Sequence, residues 1–408
     1  MTPALASVQP RAERAPSKHF SEFPSWPHFS EDEIAPVVEV LRSGRVSYWT
    51  GEHCRRFEEE FAGSCGCKHA VAVANGTVAL ELALRCLGIG PADEVIVPSR
   101  TFVASASSIA MCGARPVFAD VEADSQNITA ATIESALTNR TRAIIAVHLA
   151  GWPCDMDSIL ELARRYDLRV IEDCAQAQGA KYRGLPVGSF GDAATFSFCQ
   201  DKVMTTVGEG GMLVTNDSAA FERAWAFKDH GKDYSEIHRE GSKNGFPFPH
   251  RTVGTNWRMT DVQAVVGRRQ LAKAPGWVEQ RRRNADILAA RLSKLQALRI
   301  PAVPDHVTHA RYRFYAFVRP AALKSDWGRN RIVQQISAAG VPCSAGSCGE
   351  VYLEDAFVSS RPETSLPVAR DLAETSIAFV VHPTLTEAHM HAMSNAIAEI
   401  IEEATLPQ

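Results

Sequence analysis

Nowhere in these 408 residues does an apolar run approach the ~20 residues that a membrane-crossing helix needs. A long basic block is also missing, and 43 Lys and Arg against 47 Asp and Glu give a formal charge of -4. A nucleic-acid-binding surface therefore has no support, and no membrane partner is expected. The opening stretch MTPALASVQPRAERAPSKHF lacks the apolar core of a secretory signal. Short and Pro-rich, it reads as a mobile tail rather than an Arg-containing transit peptide. The 10 cysteines are scattered. Cys65-Gly66-Cys67 and the pair Cys343/Cys348 have no partner motif at zinc-site spacing, so no metal is expected. Reduced thiols in a cytoplasmic protein are the expectation. No internal repeat or low-complexity tract is visible.

What the chain does contain is alternation. With 45% hydrophobic residues it can bury a large core, and its length suggests more than one domain. Residues 30–63 have helical patterns on either side of the connector RVSYWTG, and Ser30 and Glu33 have capping-box spacing. Short β-branched runs follow at HAVAV, DEVIVPS, ARPVFADVE, TRAIIAVHLAG, RVIEDCAQA, ATFSF and GGMLVT. Helical patterns come between many of them, at residues 102–112, ITAATIESAL and MDSILELARRYDL among others. This order predicts an α/β fold: a mostly parallel sheet covered on both faces, with ligands beyond the carboxyl ends of its strands. Residues 228–251 read as a long loop, of a length that is usually functional or disordered. A helix is then predicted to about Leu298, followed by a smaller α+β unit with the strand YRFYAFV, the helix NRIVQQISAAG and a closing helix.

Several polar residues interrupt the apolar runs. Lys202 lies between two buried strands, beside the turn Gly208-Glu209-Gly210-Gly211, where a solvated surface lysine is out of place. Desolvation there is expected to lower its pKa and free the amine for a Schiff base. Asp173 ends a buried strand. A buried carboxylate needs a cation or strong donors: a helix end or an arginine would serve, and so would the ring N–H of pyridoxal phosphate. Asn75-Gly76-Thr77 opens a helix, either as an ordinary turn capped by Thr77 or as an anion cradle. Ser197 can donate to a phosphate, and Phe102, at another strand end, can lie on a ring or simply join the core.

Taken together, these motifs resemble the DegT/DnrJ/EryC1/StrS family of sugar aminotransferases, within the fold-type I group of pyridoxal phosphate enzymes. The resemblance runs from about Phe29 to Ile401. It is carried by NGTVALELAL, GPADEVIVPSRTFVASA, RPVFADV, VHLAGWPCDMD, IEDCAQAQGA, SFCQDKVMTTVGEGGM, GTNWRMTDVQAVVGRRQL and HPTLT. It implies a seven-stranded-type sheet in a large cofactor domain, 29–255, a small domain, 256–408, and the tail, 1–28. It also implies roles. Lys202 would be the Schiff-base lysine, Asp173 the partner of the pyridine nitrogen, and Gln176 the neighbour of the ring hydroxyl. Phe102 would stack on the ring. Gly76, Thr77 and Ser197 would hold the phosphate. Asn256 would reach the phosphate of a neighbouring subunit, making a homodimer with shared sites. The implied reaction moves an amino group from glutamate to a nucleotide-linked keto-sugar, a 4-keto-6-deoxy sugar by family frequency. The family's dehydrase branch carries His where this chain has Lys202. Two features depart from the family pattern: Cys199, and the segment SAGSCGEVYLEDAF (344–357) near the sugar site.

Overall fold

The computed structural model describes residues 23–238 and 249–407; residues 1–22 of the expected tail lie outside them. Its central sheet has seven strands: β1 (His69–Val73), β2 (Glu94–Pro98), β3 (Arg115–Ala119), β4 (Thr141–Val147), β5 (Arg169–Asp173), β6 (Ala193–Ser197) and β7 (Gly211–Thr215). Their order is β1-β7-β6-β5-β4-β2-β3. The neighbours from β6 to β3 pair in parallel, whereas β7 runs antiparallel to both β6 and β1. Both faces are covered, which is why the strands are apolar at successive positions. Val95 and Val97 of β2 pack into one apolar layer and Ile96, between them, into the other.

Helices fill both layers. They include α1 (Glu31–Ser43), α2 (His53–Cys65), α3 (Gly76–Cys86), α4 (Val103–Met111), α5 (Ala130–Glu134), α6 (Met156–Arg165) and α7 (Ser218–Lys228). The expected capping residues are in place at α1, where the Ser30 amide donates to the Glu33 carboxylate at 3.0 Å. The region read as one long loop is more structured than its composition suggests. A short helix, α8 (Tyr234–Ile237), is capped by Asp233, and Lys232 pairs with His250. Residues 239–248 of that loop lie outside the described residues.

The long helix α9 (Asp261–Leu292) joins the two parts of the chain. It starts against α2, where Asp261 accepts from the Cys54 amide at 2.9 Å, and its later turns enter a second core with Leu288 and Leu292. It stops six residues before the expected end. Leu298 and Arg299 instead form a strand that pairs with Phe317 and Val318, a tertiary contact that outweighs local helical preference. This strand, β8 (Leu298–Arg299), begins a four-stranded antiparallel sheet with β9 (Phe314–Val318), β10 (Cys343–Ser344) and β11 (Ser376–Phe379), in the order β8-β9-β11-β10. Among the described residues, no helix is long and apolar enough to cross a membrane.

Residues 23–28 pack against the rest of the chain. The Trp26 indole donates to the Lys202 carbonyl at 2.8 Å and meets Trp277 edge-on.

Candidate active site

Between the carboxyl ends of the central strands and the second sheet lies a cleft of about 880 Å³. The strand pattern brings residues from distant parts of the chain to its floor: Asp173 from the end of β5, Ser197 from the end of β6 and Gly76 from the first turn of α3. Gly76 fits only because it has no side chain. A Cβ there would lie 2.6 Å from the Ser197 Cβ. Asn75, not Thr77, caps α3: its Oδ1 accepts from the Val78 amide at 3.0 Å. Thr77 is left exposed in the first turn, on the cleft. Phe102 caps α4 by its backbone alone and is 64% exposed on the cleft, outside the apolar core. Gln176 also lines the cleft, with its Oε1 accepting from the Ala150 amide at 2.7 Å.

Asp173 is buried. Its Oδ2 accepts from Ser105 Oγ at 2.8 Å and its Oδ1 from the Ala175 amide at 3.1 Å. Burial pushes its carboxyl above the ordinary value, against the opposing pull of these two donors. A cationic ring N–H in the cleft would offset that burial cost.

Lys202 stands in the turn between β6 and β7, its side chain 16% exposed. Its Nζ lies 3.1 Å from Asp201 Oδ1 and 3.4 Å from the Tyr312 hydroxyl. Here the structure corrects the sequence reading. Burial does pull the amine's pKa down, but Tyr312 and Asp201 outweigh it, and the net direction is upward. Both groups favour the ammonium form of the amine. Tyr312, whose hydroxyl donates to Asp201, belongs to the second part of the chain and was not visible from motif spacing. The only hint was the aromatic run YRFYAFV.

Asn256 does not line this cleft. It is exposed, bridges to Asp229, and its Oδ1 accepts from the Arg258 amide at 3.4 Å. Cys199 lines the cleft beside Ser197, as do Ser344, Gly346, Ser347 and Cys348 of the unusual segment. Among the described residues, one group of possible metal donors lies close together: His148, Glu172 and Cys174. It is a structural knot. The two Glu172 oxygens take His148 Nε2 at 3.0 Å and the amides of Gly188, Phe190 and Gly191, each at 2.8 Å. His148 Nδ1 accepts from the Cys154 amide at 3.0 Å, which places the ring hydrogen on Nε2. The 10 cysteines are all free.

A model of the DegT/DnrJ/EryC1/StrS aminotransferase family matches residues 27–398. The chain belongs to this family. It is 36% identical over 375 residues to the GDP-perosamine synthase of Caulobacter vibrioides, covering 92% of this chain and 97% of that one. It is 37% identical over 372 residues to UDP-N-acetyl-3-dehydro-alpha-D-glucosamine 3-aminotransferase of Acidithiobacillus ferrooxidans, covering 91% and 95%. Among solved structures, an aminotransferase from Psychrobacter cryohalolentis superposes with a TM-score of 0.91 at 48% identity, covering 94% of this chain and 99% of that chain. The chain is thus a sugar aminotransferase of the fold-type I architecture, and family members use pyridoxal phosphate. The cleft fits that group. The close approach at Gly76 and Ser197 leaves a small cradle at a helix N-terminus, an amine faces the same space, and a buried carboxylate awaits a cationic partner. When bound, the cofactor supplies an electron sink for the carbanion formed between two proton transfers.

Proposed function

We propose that the protein transfers an amino group from glutamate to a nucleotide-linked keto-sugar, at position 4 of a 4-keto-6-deoxy sugar. The observation that carries this reading is the convergence of Lys202, Asp173, Gly76 and Ser197 on one cleft. Position 4 rests on family frequency, while the likeness to a 3-aminotransferase makes position 3 the alternative in the test. In this reading Lys202 would hold the cofactor and would serve as general base and acid at the substrate carbon. Asp173 would pair with the ring nitrogen, Gln176 would hold the ring hydroxyl, and Phe102 would cover the ring. Gly76, Thr77 and Ser197 bind the phosphate. Asn256, away from its own cleft, serves the phosphate of a second copy in a homodimer. The large domain would span 29–255 and the small one 256–408, and the enzyme would work in the cytoplasm.

The test is incubation with pyridoxal phosphate, nitrogen-labelled glutamate and a panel of nucleotide-linked 3-keto and 4-keto sugars, with products read by mass spectrometry. Label in an amino sugar with every hydroxyl retained is the expected result. A deoxygenated, unlabelled product would mean a dehydratase. No product from any sugar would remove the catalytic reading.

A further inference from the structure

Arg100 follows β2, and its side chain is fully buried behind the cleft, yet among the described residues no carboxylate pairs with it. Its Nε donates to Gln126 Oε1 at 2.9 Å and one terminal nitrogen donates to Ser376 Oγ at 2.9 Å. The other terminal nitrogen has no acceptor, and the guanidinium lies over the Tyr315 ring at 5.8 Å. A buried cation held only by neutral groups is costly and is not a device for stability. Its neighbours show what it organises. Ser376 Oγ donates to the Ala345 carbonyl at 2.7 Å, and Tyr315 Oη accepts from the Ser347 amide at 2.8 Å. The Ser99 carbonyl, one residue before Arg100, accepts from the Val351 amide at 2.8 Å. Gly349 passes so close that a Cβ there would overlap Ala373 and stand 3.4 Å from the unpaired guanidinium nitrogen. Thus Ala345, Ser347, Gly349 and Val351 are all fixed on or beside Arg100, and this same segment forms the wall of the cleft that faces Lys202 and Phe102.

We propose that Arg100 is a positioning residue that holds the wall 344–350 and thereby sets which nucleotide-linked sugar the cleft accepts. The proposal rests on the sugar-aminotransferase reading above. Arg100 itself touches no reacting atom. The cofactor side is anchored separately: Thr101 Oγ1 lies 2.9 Å from Ser105 Oγ, which donates to Asp173. Loss of Arg100 should therefore loosen one side of the cleft and spare the other.

The test compares Arg100→Met and Arg100→Lys with the unaltered holoenzyme. Each half-reaction is followed separately by cofactor absorbance, with glutamate for one and a panel of nucleotide-linked amino sugars beginning with GDP-perosamine for the other. Arg100→Met should raise KM for the accepted amino sugar by about tenfold or more while its kcat and the glutamate half-reaction stay within about twofold. Arg100→Lys should fall between. Hydrogen exchange of the Ser347 amide should speed up in Arg100→Met. Equal loss in both half-reactions, or unchanged KM, overturns the proposal. If Arg100→Met does not fold, Ser376→Ala cuts the same link to Ala345 and must give the same split. If no amino sugar reacts with the unaltered enzyme, the functional reading fails; the positioning role still stands or falls on the exchange of Ser347.

Discussion

On one side of the cleft every site side chain lies within a few residues of a strand end or in a first helical turn. On the other side Tyr312 precedes a strand of the small antiparallel sheet, Tyr315 lies on that strand, Ser344 on another, and Gly346, Ser347 and Cys348 follow Ser344. The first side is held by the backbone ladder of the central sheet. Asp173 and Ser197 close β5 and β6, and Lys202 stands in the turn that leads to β7. The second side is held by side chains that cross between units, Arg100 to Ser376 and Tyr312 to Lys202 among them. A rigid sheet edge suits chemistry that must not vary. A wall pinned by a few side chains can change its lining without disturbing that chemistry, and here the wall carries residues of the segment 344–357.

Substitutions on the sheet side should affect both half-reactions. The largest effect is expected from Lys202→Ala, which should lower turnover by about 10⁴-fold or more while the protein still binds the cofactor non-covalently. Borohydride reduction of the unaltered enzyme followed by peptide mapping should label Lys202. A label on another lysine would move the chemistry elsewhere. Asp173→Asn should cost about 10²- to 10³-fold in kcat, in both directions of transfer, with a smaller change in cofactor affinity. Separate titration of cofactor and single-turnover kinetics distinguish the two. Gly76→Ala places a Cβ 2.6 Å from that of Ser197. Cofactor Kd should rise about tenfold through this crowding, as measured by fluorescence titration.

The comparison is sharpest at Tyr312, which belongs to the wall yet reaches Lys202. Tyr312→Phe should have the smallest effect on turnover, within about tenfold. Its sign with pH is definite. Burial lowers the Lys202 pKa, and Tyr312 and Asp201 raise it further than burial lowers it. Removing one of the two opposing groups lets the amine lose its proton at lower pH. The pH profile for cofactor capture by the apoenzyme should therefore shift toward acid, and an unchanged profile would show that Asp201 alone holds the proton.

Much of the sheet side was readable because strand period and turn chemistry are local. The runs HAVAV, RVIED and ATFSF announce buried strands, and whatever polar residue follows each must emerge at the same edge. The sequence leaves Thr77 open as a cap and the structure gives that role to Asn75, because both residue types cap helices and only backbone geometry chooses. The end of α9 was placed six residues late, since the pairing of Leu298 and Arg299 is set by a partner strand distant in sequence. Region 228–251 reads as aperiodic, and its described residues are tied by isolated bridges such as Lys232 with His250, which have no sequence period.

The sequence by itself determined the doubly covered sheet and the edge at which most of the candidate site residues gather, because those follow from periodicity within five to ten residues and from the high cost of leaving a polar group in an apolar strand. It also carried the family pattern. Only the tertiary structure decided the protonation of Lys202, which depends on a tyrosine and an aspartate brought to its amine, and burial alone predicted the wrong sign. Only the tertiary structure gave Arg100 its place behind the wall as well. An arginine after a strand looks like any surface cation until the second sheet closes over it, and what it then holds is fixed by distances between chain segments more than 240 residues apart, such as Arg100 to Ala345 through Ser376.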